Sequence, residues 1–172
     1  EEQCPNWQYA DHEIHVTADV VHGIWHYYQA AGDIEFLKNA LPVLKETARY
    51  WLARVCRRPG GAVTLDGVMG PDEYICLCNN NAYTNFMAAR SLEITAWALE
   101  LCGEAAEPGF IEDLRETAQG LMNSVDWSGV IPQCDHFEDY EEPDFETMWP
   151  DRSKPFGGQV SQELSLIHIS EP

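Results

Sequence analysis

The sequence predicts an all-α protein built as two layers of helices. Two observations carry this: four stretches have helical apolar periodicity, and they alternate between nearly all-round apolar and one-sided character. The connectors alternate as well, tight turns with long loops, so the elaborate loops gather at one end of the helical layers.

The first helix is read over about Val16 to Ala31, with Val16, Val20, Val21, Ile24, Trp25 and Tyr28 spread over more than one face. That spread predicts burial on most sides. The second is read from about Ile34 to Val55, where Leu37, Leu41, Leu44, Ala48, Trp51 and Val55 form one stripe. Pro42 is expected to break or kink it, because proline lacks the N–H that the helix ladder needs. The third runs from about Tyr83 to Leu101 and is apolar nearly all round. The fourth, from about Pro108 to Met122, is one-sided again through Ile111, Leu114, Ala118 and Leu121. Inner, outer, inner, outer is the pattern of a two-layered ring. Between the second and third helices, Arg57 to Asp66 reads as a small β-hairpin around Pro59-Gly60-Gly61. Val130 and Ile131 read as a short strand opening the last long connector.

Composition narrows the function. The chain has 172 residues, 45% of them apolar, and a formal charge of −19. Such acidity excludes nucleic acid and anionic membrane surfaces as natural partners. No apolar run reaches the roughly 18 residues that a membrane-spanning helix needs. The six cysteines (Cys4, Cys56, Cys76, Cys78, Cys102 and Cys134) show no disulfide-framework spacing, so a reducing cytoplasm is the expected location. The opening Glu-Glu-Gln-Cys has neither an initiator Met nor a signal layout, and reads as the middle of a gene. The last nine residues, Leu164 to Pro172, resemble the translation of a transposase adapter used for sequencing libraries. The native sequence is therefore expected to end at about Glu163.

Chemistry concentrates in Gly67 to Asn85, GVMGPDEYICLCNNNAYTN. Gly70-Pro71 forces a turn, which puts Asp72, Glu73 and Tyr74 on a loop at the elaborate end. Two carboxylates beside an aromatic, followed by Asn79, Asn80 and Asn81, suit a polyol, because amides both donate and accept as sugar hydroxyls require. Tyr74 and Tyr83 offer faces for sugar stacking. The plain alternative is a polar loop ending in an Asn or Thr helix cap. His22 and His26 stand one helical turn apart, but no third ligand has suitable spacing, and Cys76-x-Cys78 has no second pair, so no metal site is expected. HEIH, from His12 to His15, is not the HExxH metal motif. His15, at the start of the first helix, is a candidate sugar contact. Seven carboxylates from Asp135 to Glu146 read as a solvated loop, with a cation site as the alternative.

GPDEY followed by NNNAYTN resembles the catalytic-acid motif of glycoside hydrolase family 65, whose members include phosphorylases of maltose, trehalose, kojibiose and nigerose and a smaller set of hydrolases. EIHVTADVVHGIWHYYQAAGD, from Glu13 to Asp33, is similar to that family's helix-start motif, and GVIPQ, from Gly129 to Gln133, also fits, as does the acidic loop after it. The likeness covers about residues 10 to 163. It implies a partial (α/α)6 barrel carrying about four of twelve helices. The family's general acid falls on Glu73, with Asp72, Tyr74, Asn80, Asn81 and His15 as substrate contacts. It implies inverting phosphorolysis of an α-linked glucose disaccharide to β-glucose 1-phosphate, with inorganic phosphate as co-substrate, no metal and no other cofactor. A working acid must hold its proton near neutral pH, so Glu73 calls for a raised pKa, and an ionised neighbour such as Asp72 pushes that way. The family's phosphate-binding segments come later in sequence than these residues, so hydrolysis stays open as an alternative. A homodimer is expected by analogy, and the fragment alone is expected to be inactive. A non-catalytic helical binding module is the alternative of another class.

Overall fold

The computed structural model describes residues 10–72, 75, 77–140, 144–148 and 150–153. Cys4, Glu73, Tyr74, Cys76 and the adapter-like tail at 164–172 lie outside the described residues.

Four long helices form the body: α1 (Val16–Ala31), α2 (Ile34–Arg54), α3 (Ala82–Cys102) and α4 (Phe110–Asn123). Each starts or stops where the local sequence says it should. Asp33 accepts from the Phe36 N–H at 2.9 Å and caps α2. Asn81 caps α3 in the same way, accepting from the Thr84 N–H at 3.0 Å and the Thr84 hydroxyl at 3.2 Å. Gly103, at φ 63°, ends α3 in the left-handed conformation open to glycine, and the N–H groups of Gly103 and Glu104 return to the carbonyls of Glu100 and Leu99.

Helix α3 is the centre of the packing and lies against α1, α2 and α4. Its buried residues fall on every side, from Met87 and Leu92 to Ile94, Ala98 and Leu99, as all-round apolarity predicts. Across from it, α2 contributes Leu37, Leu44 and the fully buried Trp51, and α4 contributes Leu114 and Leu121. Each such side chain removed from water contributes about 1.5–3 kcal/mol, so this interface dominates the core.

The expected hairpin is present: β1 (Cys56–Arg57) pairs antiparallel with β2 (Val63–Thr64). The hairpin rests on α4, where the Gly120 Cα faces Val63 so closely that a Cβ would lie 2.5 Å from Val63 Cγ2.

Three expectations differ from the structure. Helix α2 continues through Pro42 without a break. Pro42 lies on the solvent-exposed face of the helix. Helix α1 buries only Ala18, Val21 and Trp25, while Val16 and Val20 are 52% and 51% exposed. Among the described helices, those that α1 packs against most are α3 and α2. Val130 and Ile131 form no strand, and Val130 is 98% exposed. The connector reaches α3 only further on, at Gln133, whose carbonyl accepts from the Ala82 N–H.

The helices run antiparallel in sequence, so the starts of α1 and α3 and the ends of α2 and α4 share one end. The long loops lie at that end. No described helix is long and apolar enough to cross a membrane.

Candidate active site

The loop from Leu65 to Asn81 is closed at its base by backbone bonds. Asn80 N–H donates to the Leu65 carbonyl at 2.8 Å, and Val68 and Cys78 exchange both bonds at 2.9 Å. The Gly67 N–H donates to Asn79 Oδ1 at 2.9 Å. On one side the loop is tied to the segment before α1: Met69 N–H donates to the His12 carbonyl at 2.9 Å, and His12 Nδ1 lies 2.9 Å from the Gly67 carbonyl. Gly70 lies flat on the Asn81 amide, where a Cβ would fall 2.4 Å from Asn81 Nδ2. Backbone is thereby brought directly against the cap of α3.

A strap formed by residues 133–136 crosses the other side. The Gln133 carbonyl accepts from the Ala82 N–H at 2.9 Å, and the Asp135 N–H donates to the Asn79 carbonyl at 3.0 Å. Side chains add to these. Asn80 Nδ2 donates to Asp135 Oδ2 at 2.9 Å, and Gln133 Nε2 donates to Asp72 Oδ2 at 2.9 Å. Cys78 and Cys134 are both buried, Cys134 within the strap, and the Cys78 thiol donates to the Val68 carbonyl at 3.4 Å. Burial, and then the neighbouring Cys134, push the Cys78 thiol up to about 12. Beside them a hollow of about 280 Å³ is lined by Gly67 and Asn79 of the loop and by Asp135 and Tyr140.

The residues expected to carry chemistry are distributed as follows. Asp72 is half-buried and held by Gln133. Glu73 and Tyr74, next in sequence, lie outside the described residues. Asn80 and Asn81 are buried and face inward: Asn80 Oδ1 accepts from the Leu65 N–H and from Asn85 Nδ2, both at 3.2 Å, and Asn81 caps α3. They form the frame of the loop. His15 is buried at the start of α1, with its ring edge-on to Tyr83 at 5.4 Å between centroids. Its Nδ1 has no hydrogen-bond partner among the described residues. The Tyr83 hydroxyl in turn donates to Asp19 Oδ1 at 3.2 Å. Burial, followed by that carboxylate, raises the Tyr83 pKa.

The His22 and His26 rings lie 4.1 Å apart. Burial first, then His26 and Arg90, hold the His22 imidazole below its usual pKa. No group of three or more His, Cys, Asp or Glu among the described residues is arranged to hold a metal ion. In the acidic stretch, Glu138, Asp139 and Asp144 are exposed, and Asp144 accepts from the Thr147 N–H and hydroxyl at 3.1 and 2.6 Å.

Sequence reasoning did not single out Gln133 or Asp19, and read Asp135 only as part of the acidic loop. Gln133 sits at the end of GVIPQ, but nothing local in a sequence marks it as the partner of a carboxylate 61 residues earlier.

Comparison with known proteins bears on the family and the fold. The description "Glycosyl hydrolase family 65 central catalytic domain" matches residues 2–165. The kojibiose phosphorylase of Halothermothrix orenii is 33% identical over 157 residues, covering 75% of this chain and 19% of that protein. The kojibiose hydrolase of Flavobacterium johnsoniae is 39% identical over 128 residues, covering 74% of this chain and 18% of that protein. The chain thus spans about a fifth of the length of these relatives. Among solved structures, a putative kojibiose phosphorylase from human microbiome superposes with a TM-score of 0.74 and 25% identity, over 95% of this chain and 24% of that one. With four helices in two layers and a small hairpin, the fold is part of a helical barrel. The chain belongs to glycosyl hydrolase family 65 and lies within its central catalytic domain.

Proposed function

We propose that this chain supplies the acid side of the catalytic centre in an inverting α-glucoside phosphorylase, with Glu73 as general acid. The observation that carries the reading is the built loop. Asp72, the residue before Glu73 in sequence, is bonded by Gln133, and the Val68–Cys78 bridge closes the loop beneath, which supports an acid in this loop. The names of family relatives that act on kojibiose and trehalose by phosphorolysis support the substrate class.

In this reading protonated Glu73 donates its proton to the glycosidic oxygen as the bond to the anomeric carbon breaks. A phosphate oxygen attacks that carbon from the opposite face, giving β-glucose 1-phosphate and the free acceptor sugar. Phosphate arrives anionic and needs no general base. Asp72, Tyr74 and His15 are the proposed contacts to the sugar.

Hydrolysis is the second reading, favoured by the kojibiose hydrolase among the relatives. There a second carboxylate would activate water in place of phosphate.

The test uses the full-length protein that carries this chain. It is incubated with α-linked glucose disaccharides, kojibiose and trehalose first, with and without phosphate, and followed by phosphorus NMR. A phosphate-dependent β-glucose 1-phosphate signal, lost in Glu73→Gln, supports the reading. Free glucose released equally without phosphate replaces it with the hydrolase. No turnover of any α-glucoside refutes both.

A further inference from the structure

Among the described residues, Gln133 joins the middle of the loop to the first residue of α3. Its carbonyl takes the N–H of Ala82, the first residue of α3, and its side-chain amide reaches Asp72 Oδ2, each at 2.9 Å. The Ala82 N–H is one of the donors that a helix start leaves without an internal partner, so the backbone bond fixes Gln133 to the most rigid element in the molecule. From that fixed point the side chain holds the residue immediately before Glu73. Both Gln133 and Asp72 are half-buried, which limits the water that would otherwise compete for the bond.

The residue type matters as much as the contact. A glutamine donates to a carboxylate without bringing a charge. A lysine or arginine in its place would bind Asp72 more strongly, but its positive field would also favour the ionised form of any acid beside it. That would strip the proton that an acid catalyst has to keep. A neutral donor fixes the geometry and leaves the local field negative.

We propose that Gln133 is a positioning residue for the reaction: it ties Asp72, the neighbour of Glu73 in sequence, to the start of α3. The proposal rests on the reading of Glu73 as the acid. Removing the donor leaves the helices and the Ala82 bond intact but takes away the tie between Asp72 and the start of α3. Misplacement of a reacting group by a fraction of an ångström lowers turnover more than it lowers binding.

The experiment compares full-length wild type, Gln133→Leu and Gln133→Glu for kcat, KM and thermal midpoint across pH, with Glu73→Gln alongside. For Gln133→Leu, kcat is expected to fall by about tenfold or more while KM stays within about threefold, and the midpoint moves by no more than about 3 °C. Gln133→Glu sets a carboxylate against Asp72, which repels when ionised but donates like glutamine when protonated. Its kcat relative to wild type is therefore expected to rise as pH falls from about 8 to about 5. A merely structural role would not produce that pH-dependent recovery. If Gln133→Leu keeps kcat within about twofold, or if the Gln133→Glu ratio is flat with pH, the proposal is overturned. An enzyme silenced by Glu73→Gln but indifferent at position 133 overturns this proposal alone. One that keeps its kcat in Glu73→Gln overturns the acid assignment and this inference together.

Discussion

Asn80 and Asp135 are joined by an amide-to-carboxylate hydrogen bond of 2.9 Å that spans 55 residues of sequence. Asn80 makes this bond from a left-handed backbone, φ 50°, while its own carbonyl oxygen accepts from the Leu65 N–H and Asn85 Nδ2. One buried side chain thus satisfies three groups from three parts of the fold. Asn80→Ala strips all three and places a Cβ-bearing residue without a helpful amide in the left-handed region. It is expected to destabilise by about 2–4 kcal/mol. Asn80→Gly loses the same bonds but relaxes the backbone, and is expected to lie about 1 kcal/mol above the alanine variant. Urea midpoints of the two variants check the difference.

Gly70 is constrained by space. An added Cβ meets Asn81 Nδ2 at 2.4 Å and Asn81 Cγ at 3.0 Å. Asn81 cannot retreat without giving up the Thr84 N–H that it caps. Gly70→Ala is expected to cost about 2–4 kcal/mol, part overpacking and part lost cap. Gly23, inside α1, is the control, because a Cβ there meets nothing within 4 Å. Gly23→Ala is expected to stabilise by about 0.5–1 kcal/mol. Chemical denaturation of both variants should show shifts of opposite sign.

The Cys78 thiol, held near 12 by burial and Cys134, makes stability depend on alkaline pH. Its ordinary value is 9.0, so the unfolded chain ionises first. Below that value both states are neutral at this site and its contribution is complete. As pH climbs from about 9 toward about 12 the unfolded thiolate gains, and stability drains away. Urea midpoints measured over that range should fall more steeply for wild type than for Cys78→Ala. In a pulse of alkylating reagent at about pH 8, Cys78 and Cys134 should be modified after the half-buried Cys56 and Cys102.

The helices were legible because their evidence is local. A 3.6-residue apolar period and a capping Asp or Asn lie within one turn, and Asp33, Asn81 and Gly103 sit where those rules place them. The Pro59-Gly60-Gly61 hairpin was legible for the same reason. Pro42 misled because its effect depends on exposure, which the sequence does not state. Val16 and Val20 misled because apolar periodicity tells what a helix can bury, while exposure depends on what packs beside it. In the loop, the plain cap reading of Asn81 agrees with the structure. The amides of Asn80 and Asn81 turn inward because each has backbone or side-chain partners that only the folded chain brings near. The partners of Gln133, Asp135 and Asp19 were not legible for a related reason: they are 61, 55 and 64 residues away.

The strap also sets an order of events. Asp72 and Asn80 are made well before Gln133 and Asp135, and the ends of each pair are brought together only when α4 has folded back along α3. Long-range closures of this kind carry the largest entropic cost and form late. During synthesis the loop before α3 therefore waits, closed at its base but open on one flank, until the α3–α4 hairpin delivers its missing side. A chain arrested before residue 133 would lack the Gln133–Asp72 and Asp135–Asn80 bonds that close this loop.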